Sequence, residues 1–352
     1  MNDQVGGALM TGALATIHDV ALLDLDGVVY VGHDAVPGAV AGLSAARSAG
    51  MRLAFVTNNA GRPPEAVADH LAALGIPASA DDVVTSAQAG AMLLAERLAR
   101  GAAVLAVGGP GVAQALERVG LRPVTPSESG AEAVEAVLQG FGRDLTWSDL
   151  ATAALAVHGG AIWVLTNPDL TLPVPGGQAP GNGSMARAVE AAAGRSPDDI
   201  AGKPHPALME ASLVRTNARS PLVVGDRLDT DIAGAARSSI PSLLVLTGIC
   251  DIAGALSATP GERPDYLGED LGALLMPPAA TGGDGGPRRE GNLWLLRGAS
   301  AWVEGAELRV TYGEDWLAGV QCGCAAAWAA PTPPSVAAAA SALERARRTV
   351  GS

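Results

Sequence analysis

Short runs that are apolar at every position recur along this chain and alternate with alanine-rich segments of helical spacing. No other feature narrows the choice of fold as far. Val20–Leu23, Leu53–Val56, Val104–Val107, Ile162–Leu165, Leu222–Val224 and Leu243–Leu246 are the runs. A strand with one wet face alternates apolar and polar residues, whereas a strand apolar throughout is buried on both faces, the condition inside a parallel sheet covered by helices. Between the runs, Ala39–Ala49, Pro64–Leu74, Ala87–Arg100, Gly111–Val119, Asn182–Ala193, Pro206–Val214 and Asp229–Ser238 carry helical spacing. The alternation predicts βαβ units and an α/β fold, arranged as one large sheet or two smaller ones. In such folds ligands bind beyond the carboxyl ends of the strands, so the residues that follow each run are where chemistry is sought.

The first run delivers Asp24-Leu25-Asp26-Gly27. A lone Asp-Gly at a strand end reads most simply as a turn or a helix cap. Three other segments change that reading. Leu53–Val56 ends in Thr57-Asn58-Asn59, Leu222–Val224 ends in Gly225-Asp226-Arg227-Leu228-Asp229-Thr230-Asp231, and Gly202-Lys203-Pro204-His205-Pro206 sets a lysine at the start of a helix. Each alone is a cap or a solvated side chain; together they are the complementary parts of a phosphate-transfer site. A carboxylate nucleophile is repelled by a dianionic phosphate ester, by about 4 kcal/mol for two unit charges 4 Å apart at an effective dielectric of 20. A hard divalent cation with oxygen ligands reverses that sign, and a lysine and a hydroxyl can hold the remaining phosphoryl oxygens. Asp24 and Asp26 supply two carboxylates in one turn, one to attack and one to move a proton.

Composition limits the partners. With Asp and Glu outnumbering Lys and Arg, 36 to 23, the net charge is −13 and the pI about 4.8. That balance argues against nucleic acid or an anionic membrane as the main partner, though a cation and local donors can still recruit a small phosphorylated metabolite. Three cysteines, Cys250, Cys322 and Cys324, are too few for a disulfide framework and suit a reducing compartment. There is no apolar run of about 18 residues and no signal-peptide pattern, so a cytoplasmic protein is expected.

DLDGVVY (24–30), FVTNNAGR (55–62), GKPHP (202–206) and VVGDRLDTDIAGA (223–235) resemble the four ordered motifs of the haloacid dehalogenase (HAD) superfamily of phosphohydrolases. TNPDLTLPVPGGQAPGNGS (166–184) resembles the subgroup with a large α/β cap inserted between the second and third motifs. The resemblance covers about residues 18–276. It implies a Rossmann-like parallel-sheet core over 1–84 and 183–276, an α/β cap over 85–182, and Mg²⁺ as cofactor. It makes Asp24 the nucleophile that forms an aspartyl-phosphate and Asp26 the acid that protonates the leaving group and then activates water. The metal would be held by Asp24, Asp226 and the backbone carbonyl of Asp26, with Asp231 in the outer shell. Thr57, Asn58 and Lys203 would bind the transferring phosphate, and Asn167 and Asp169 would lie in the cap's substrate-facing loop. Arg227 and Asp229 occupy positions the family varies. The cap's Gly108-Gly109-Pro110-Gly111 tempts a dinucleotide-binding reading, but Gln114 stands where the third glycine is needed, so turn glycines are expected.

Met276–Gly291 is dominated by glycine, proline and charge and reads as a linker with nothing to bury, centred on 277–290. Beyond it, Asn292–Tyr312 suggests short antiparallel strands, followed by alanine-rich helical segments. Residues 291–352 resemble part of an N-acetyltransferase-like (GNAT) fold, as appended to some members of the family that act on glycerol 3-phosphate. The resemblance therefore makes D-glycerol 3-phosphate the leading substrate, with phosphoglycolate, sugar phosphates, nucleotides or aryl phosphates as alternatives; a vestigial core serving a binding or regulatory role is the remaining one. No coenzyme-gripping glycine loop is evident, and Cys322 and Cys324 lack the second pair that a zinc site needs. With Leu293, Trp294, Leu296, Trp302, Trp316 and Trp328 the tail holds more apolar surface than so short a segment can bury alone. It is expected to dock on the core or on another subunit of a homo-oligomer.

Overall fold

A computed structural model describes residues 12–128, 133–174 and 176–350. The chain divides into two compact units, Met1–Leu53 with Ala218–Ser352, and Ala54–Asn217. In the first unit Val20–Leu23 is buried at every residue, as an apolar run requires. It pairs in parallel with Pro221–Gly225, which pairs with Ser242–Val245, which pairs with Tyr266–Gly268. The register sets Leu23 opposite Val224, and the Asp24 N–H donates to the Val224 carbonyl at 2.9 Å. Two acidic strand tips are thereby brought level.

The same unit contains the tail. Arg288–Glu290, Leu293–Leu296, Ala299–Glu304 and Glu307–Thr311 form a four-stranded antiparallel sheet in that order. The helix Trp316–Ala329 lies against it, apolar almost all round and correspondingly buried. Its one buried amide, Gln321, accepts from Arg297 Nη2 at 2.7 Å and donates to the Ala280 carbonyl. A single apolar core unites Leu244, Ile252, Leu256 and Leu267 with Ala301, Val320, Cys322 and Leu343. The tail therefore docks on the 232–267 part of its own unit. The 276–291 segment does bury something: Ala280 and Thr281 are interior, with Ala280 bridging Tyr266, and Arg288–Glu290 is the first strand of the tail sheet. Local composition cannot register that a neighbouring strand edge is open to be covered.

In the second unit a five-stranded parallel sheet runs in the order Asp199–Ile200, Ile162–Leu165, Ala136–Gln139, Ala103–Val107, Arg122–Val124. Alternate residues serve two cores. Val104, Leu138 and Val164 pack with Ala87, Leu94, Val112 and Leu116. Leu105, Val107, Val137, Trp163 and Leu165 pack with Ala153, Val157, Ala186 and Val189. That division is why these strands read as continuous apolar runs. Arg52–Thr57 begins in the first unit, continues into the second, and there pairs in parallel with Val83–Thr85. The short strands Val83–Thr85, Arg122–Val124 and Asp199–Ile200 carry too few residues to show a period.

Two helices differ from expectation. Ser86–Ala95 ends before Arg100. It starts at a capping box in which Thr85 Oγ1 accepts from the Gln88 N–H at 3.3 Å. In place of one helix over 229–238 there is a wide π turn, Leu228–Ile232, running into Ala233–Arg237. Gly109 and Gly111 are packing residues: a Cβ on Gly109 would lie 2.5 Å from the Gly61 carbonyl oxygen and one on Gly111 2.5 Å from that of Ala60.

Candidate active site

In the first unit the level strand tips gather Asp24, Asp226 and Asp231, each offering a carboxylate oxygen within 4.8 Å of the others. Asp226 and Asp231 are buried and Asp24 is half-buried. Like charges at such a spacing repel by roughly 3–4 kcal/mol per pair at an effective dielectric of 20. An all-oxygen acidic set of this kind fits a hard divalent cation, which removes that repulsion.

Glycines make the approach possible. A Cβ on Gly248 would sit 1.9 Å from Asp226 Oδ2, and one on Gly27 2.5 Å from the same atom. Gly225 would meet the Asp231 Cβ at 2.2 Å. Gly27 also has φ +87°, a backbone that L side chains rarely adopt. Asp226 Oδ2 accepts from the Ile249 N–H at 2.7 Å, and Asp231 Oδ2 from the Arg227 N–H at 3.2 Å. The π turn, with the Ile232 N–H reaching back to the Arg227 carbonyl at 3.2 Å, brings Asp231 round under Gly225. Asp26 is exposed, its main chain bridging to Tyr30. Arg227 and Asp229 form an exposed bidentate pair at 3.1 and 2.8 Å. Burial alone would raise the Asp229 carboxyl, but the Arg227 guanidinium holds it below the usual range.

In the second unit Lys203 is 2% exposed, and its Nζ donates to the Val56 carbonyl at 3.2 Å. Asn58 reads the Lys203 main chain in both directions, accepting its N–H at 2.8 Å and donating to its carbonyl at 3.1 Å. The same amide donates to Asp169 Oδ2 at 3.3 Å. Asn167 donates to the Asn58 carbonyl at 2.7 Å and accepts from the Asp169 N–H at 3.2 Å. Thr57 is buried, and its hydroxyl accepts from the Asn59 N–H at 3.0 Å. Thus Asn58, Asn167, Asp169 and Lys203, scattered over the sequence, form one hydrogen-bonded group. Ser86 and Asn182, which drew no attention in the sequence, extend it: Ser86 Oγ donates to the Asn58 carbonyl at 2.7 Å and Asn182 Nδ2 to that of Asn167 at 2.9 Å. His158 contacts the Ala193 carbonyl at 3.3 Å, a structural role.

One segment escaped sequence reasoning. Thr247-Gly248-Ile249-Cys250 follows the Ser242–Val245 strand, so the strand-tip rule that picked out Asp24 and Asp226 applies to it equally. Its residue types, a hydroxyl and backbone N–H groups, carry no acid or base to draw the eye. Cys250 is buried beside Asp226, and burial, with the charges of Asp251 and Asp226, pushes its thiol up to about 12.

Comparison with known proteins agrees with this geometry. A family model described as haloacid dehalogenase-like hydrolase matches residues 21–122, and a second HAD-hydrolase-like model matches residues 200–274. A D-glycerol 3-phosphate phosphatase of Mycobacterium tuberculosis is 50% identical over 262 residues, covering 74% of this chain and 72% of that one. This chain belongs to the HAD-like hydrolases. The HAD relatives include an acid sugar phosphatase of Staphylococcus saprophyticus, 37% identical over 65% of this chain and 86% of its own length. The crystal structure of a glycerol phosphate phosphatase from M. tuberculosis in complex with magnesium superposes with a TM-score of 0.84 at 43% identity, covering 95% of this chain and 98% of that one. The HAD core is the Rossmann-like parallel sheet, and the antiparallel sheet and helices that follow are compatible with a GNAT-like extension.

Proposed function

We propose that this HAD hydrolase is a Mg²⁺-dependent phosphomonoesterase that uses an aspartyl-phosphate intermediate and acts on D-glycerol 3-phosphate. The observation that carries the reading is the close Asp24–Asp226–Asp231 group, two carboxylates buried and one half-buried, whose repulsion calls for a hard cation. Asp24, Asp226 and the Asp26 carbonyl would hold the metal, with Asp231 behind them. When bound, the ion neutralises the dianionic ester and so lets a carboxylate approach phosphorus.

Asp24 then attacks phosphorus, and the bond to the ester oxygen breaks as the acyl phosphate forms. The exposed carboxyl of Asp26 donates its proton to the departing alkoxide. As carboxylate it next takes a proton from water, whose oxygen attacks phosphorus and releases Asp24 with inorganic phosphate. Thr57, Asn58 and Lys203 are assigned to the transferring phosphate. The two hydrogen bonds between the Asn58 amide and the Lys203 main chain, one accepted and one donated, give Asn58 the further task of orienting that lysine. Asn167 and Asp169 are assigned to the substrate-facing loop of a cap spanning 85–182, inserted in a core of 1–84 and 183–276. The extension completes the division; its sheet begins at Arg288–Glu290 and Ala280 and Thr281 are interior, so the expected linker 277–290 is not a free spacer.

The substrate rests on the relatives whose names include glycerol phosphate, and on the loop itself: Leu170, 43% exposed, and Leu172 offer no charge to a second anionic group. This favours glycerol 3-phosphate over phosphoglycolate. Among the described residues no helix is long and apolar enough to cross a membrane, and the three cysteines are free, in keeping with a cytoplasmic enzyme. The deciding experiment ranks D-glycerol 3-phosphate, phosphoglycolate, a hexose phosphate, a nucleoside monophosphate and nitrophenyl phosphate by kcat/KM, with Mg²⁺ and with EDTA. Metal-independent turnover would sink the mechanism, and a better ester than glycerol 3-phosphate would sink the substrate.

A further inference from the structure

The overlooked segment after the Ser242–Val245 strand touches both acidic loops. Thr247 Oγ1 donates to the Gly27 carbonyl at 2.6 Å, holding the turn that carries Asp24 and Asp26. Gly248 leaves room for the Asp226 carboxylate. The Ile249 N–H donates to Asp226 Oδ2 at 2.7 Å and the Cys250 N–H to the Asp226 main-chain carbonyl at 3.0 Å. Four consecutive residues therefore bridge the Asp24 loop and Asp226 beyond the strand pairing that brings their tips level.

Both ends of this clamp are held by the last helix of the tail, Ala337–Val350. Arg347 Nη2 donates to the Leu246 carbonyl at 2.9 Å, in the peptide that leads into Thr247. Arg347 is itself oriented by Glu269 Oε1 at 3.2 Å and lies over the Trp316 ring at 5.7 Å. Three residues earlier on the helix, Glu344 Oε1 accepts from the Ile252 N–H at 3.4 Å, just past Cys250. Leu343, fully buried, seats this face in the core shared with Ile252 and Leu256.

We propose that the C-terminal extension is a positioning element for the metal site: through Arg347 and Glu344 it fixes the Leu246–Ile252 segment, and through Thr247 that segment sets the separation of the Asp24 loop from Asp226. Thr247 and Arg347 are positioning residues, their side chains spent on the Gly27 and Leu246 main-chain carbonyls. The inference rests on reading Asp24 and Asp226 as metal ligands. A tail that supplied only burial would need apolar contact; it would not need a guanidinium aimed at the one peptide that enters the clamp.

The test is Mg²⁺ binding to the full chain, read as the midpoint of the Mg²⁺-dependent rise in Tm and by calorimetry, beside kcat and KM. Thr247→Val should weaken Mg²⁺ by about tenfold, as outer-shell changes do, while Thr247→Ser restores it. Arg347→Met, which keeps the stem over Trp316 and loses the donor, should weaken Mg²⁺ by about threefold to tenfold with KM for the ester little changed. Should Arg347→Met fail to fold, Glu269→Gln should move Mg²⁺ binding the same way by a smaller factor. A lowered Tm in EDTA with wild-type Mg²⁺ affinity in Arg347→Met or Glu269→Gln would overturn the proposal, as would wild-type affinity in Thr247→Val. If wild-type protein binds no Mg²⁺, the metal-site reading fails and takes this inference with it.

Discussion

Gly248→Ala isolates the fit around Asp226. The new Cβ would lie 1.9 Å from Oδ2, 2.5 Å from Cγ and 2.9 Å from Cβ of that residue, where ordinary contact begins near 3.4 Å. The backbone of Gly248 is not left-handed, so alanine adds no conformational strain and the effect is purely steric. The carboxylate must swing or the segment must lift. Either breaks the Ile249 N–H bond to Oδ2, and a hydrogen bond to a charged group contributes about 1.5–3 kcal/mol. Overpacking adds about 1–3 kcal/mol. Taken up at the metal site, a loss of about 3 kcal/mol corresponds to roughly a hundredfold in kcat/KM. The assay is kcat/KM across a Mg²⁺ titration, with unfolding in EDTA to separate lost site geometry from lost fold. Gly282→Ala, with no atom within 4 Å of the added Cβ, is the control and should behave as wild type. A folded Gly248→Ala enzyme with wild-type turnover and Mg²⁺ dependence would refute the reasoning.

Asp24→Asn should abolish turnover, since an amide is a poor nucleophile and a poor metal ligand, while circular dichroism and Tm in EDTA stay near wild type; activity within about tenfold would remove Asp24 from its role. Loss of the Asp26 carboxyl should slow single-turnover phosphorylation by an alkyl ester, whose alkoxide needs a proton, by about 10²–10⁴-fold, and by nitrophenyl phosphate much less. Equal losses with the two esters would count against a general acid. His18 is buried, its Nε2 without a hydrogen-bond partner among the described residues, and burial outweighs its backbone bonds and the nearby Asp19 and Asp265 to lower its pKa below 6.5. Below about pH 6.5 the unfolded chain then binds the extra proton, so stability falls as pH drops through that value and the folded-state pKa. His18→Gln should narrow the difference in unfolding free energy between about pH 7.5 and about pH 5.5, and an undiminished gap would exclude His18 as its source.

Val20–Leu23, Ile162–Leu165 and their like are apolar at every position because both faces are covered, and that local demand alone spells an α/β fold. The acids at the strand tips were legible only as a set: each alone suits a turn or a helix cap, but carboxylates, a hydroxyl, amides and a lysine placed after such runs are the complementary parts of one phosphate site. The HAD motifs added order to those tips. Tertiary structure decided the rest, through contacts whose partners lie far apart in the chain. Thr247 meets Gly27 across 220 residues, and Asn58 meets Lys203 across 145. Nothing in a Thr-Gly dipeptide or a solitary amide announces such a partner, because a hydrogen bond between distant residues is set by how strands register and loops close. Gly248 is a glycine for the same reason, its missing Cβ leaving the space that Asp226 fills. Arg347 is one of several arginines near the end of an alanine-rich helix, and only docking of that helix aims it at the Leu246 carbonyl. Local burial is written in the residue pattern, while long-range geometry exists only once the chain has folded.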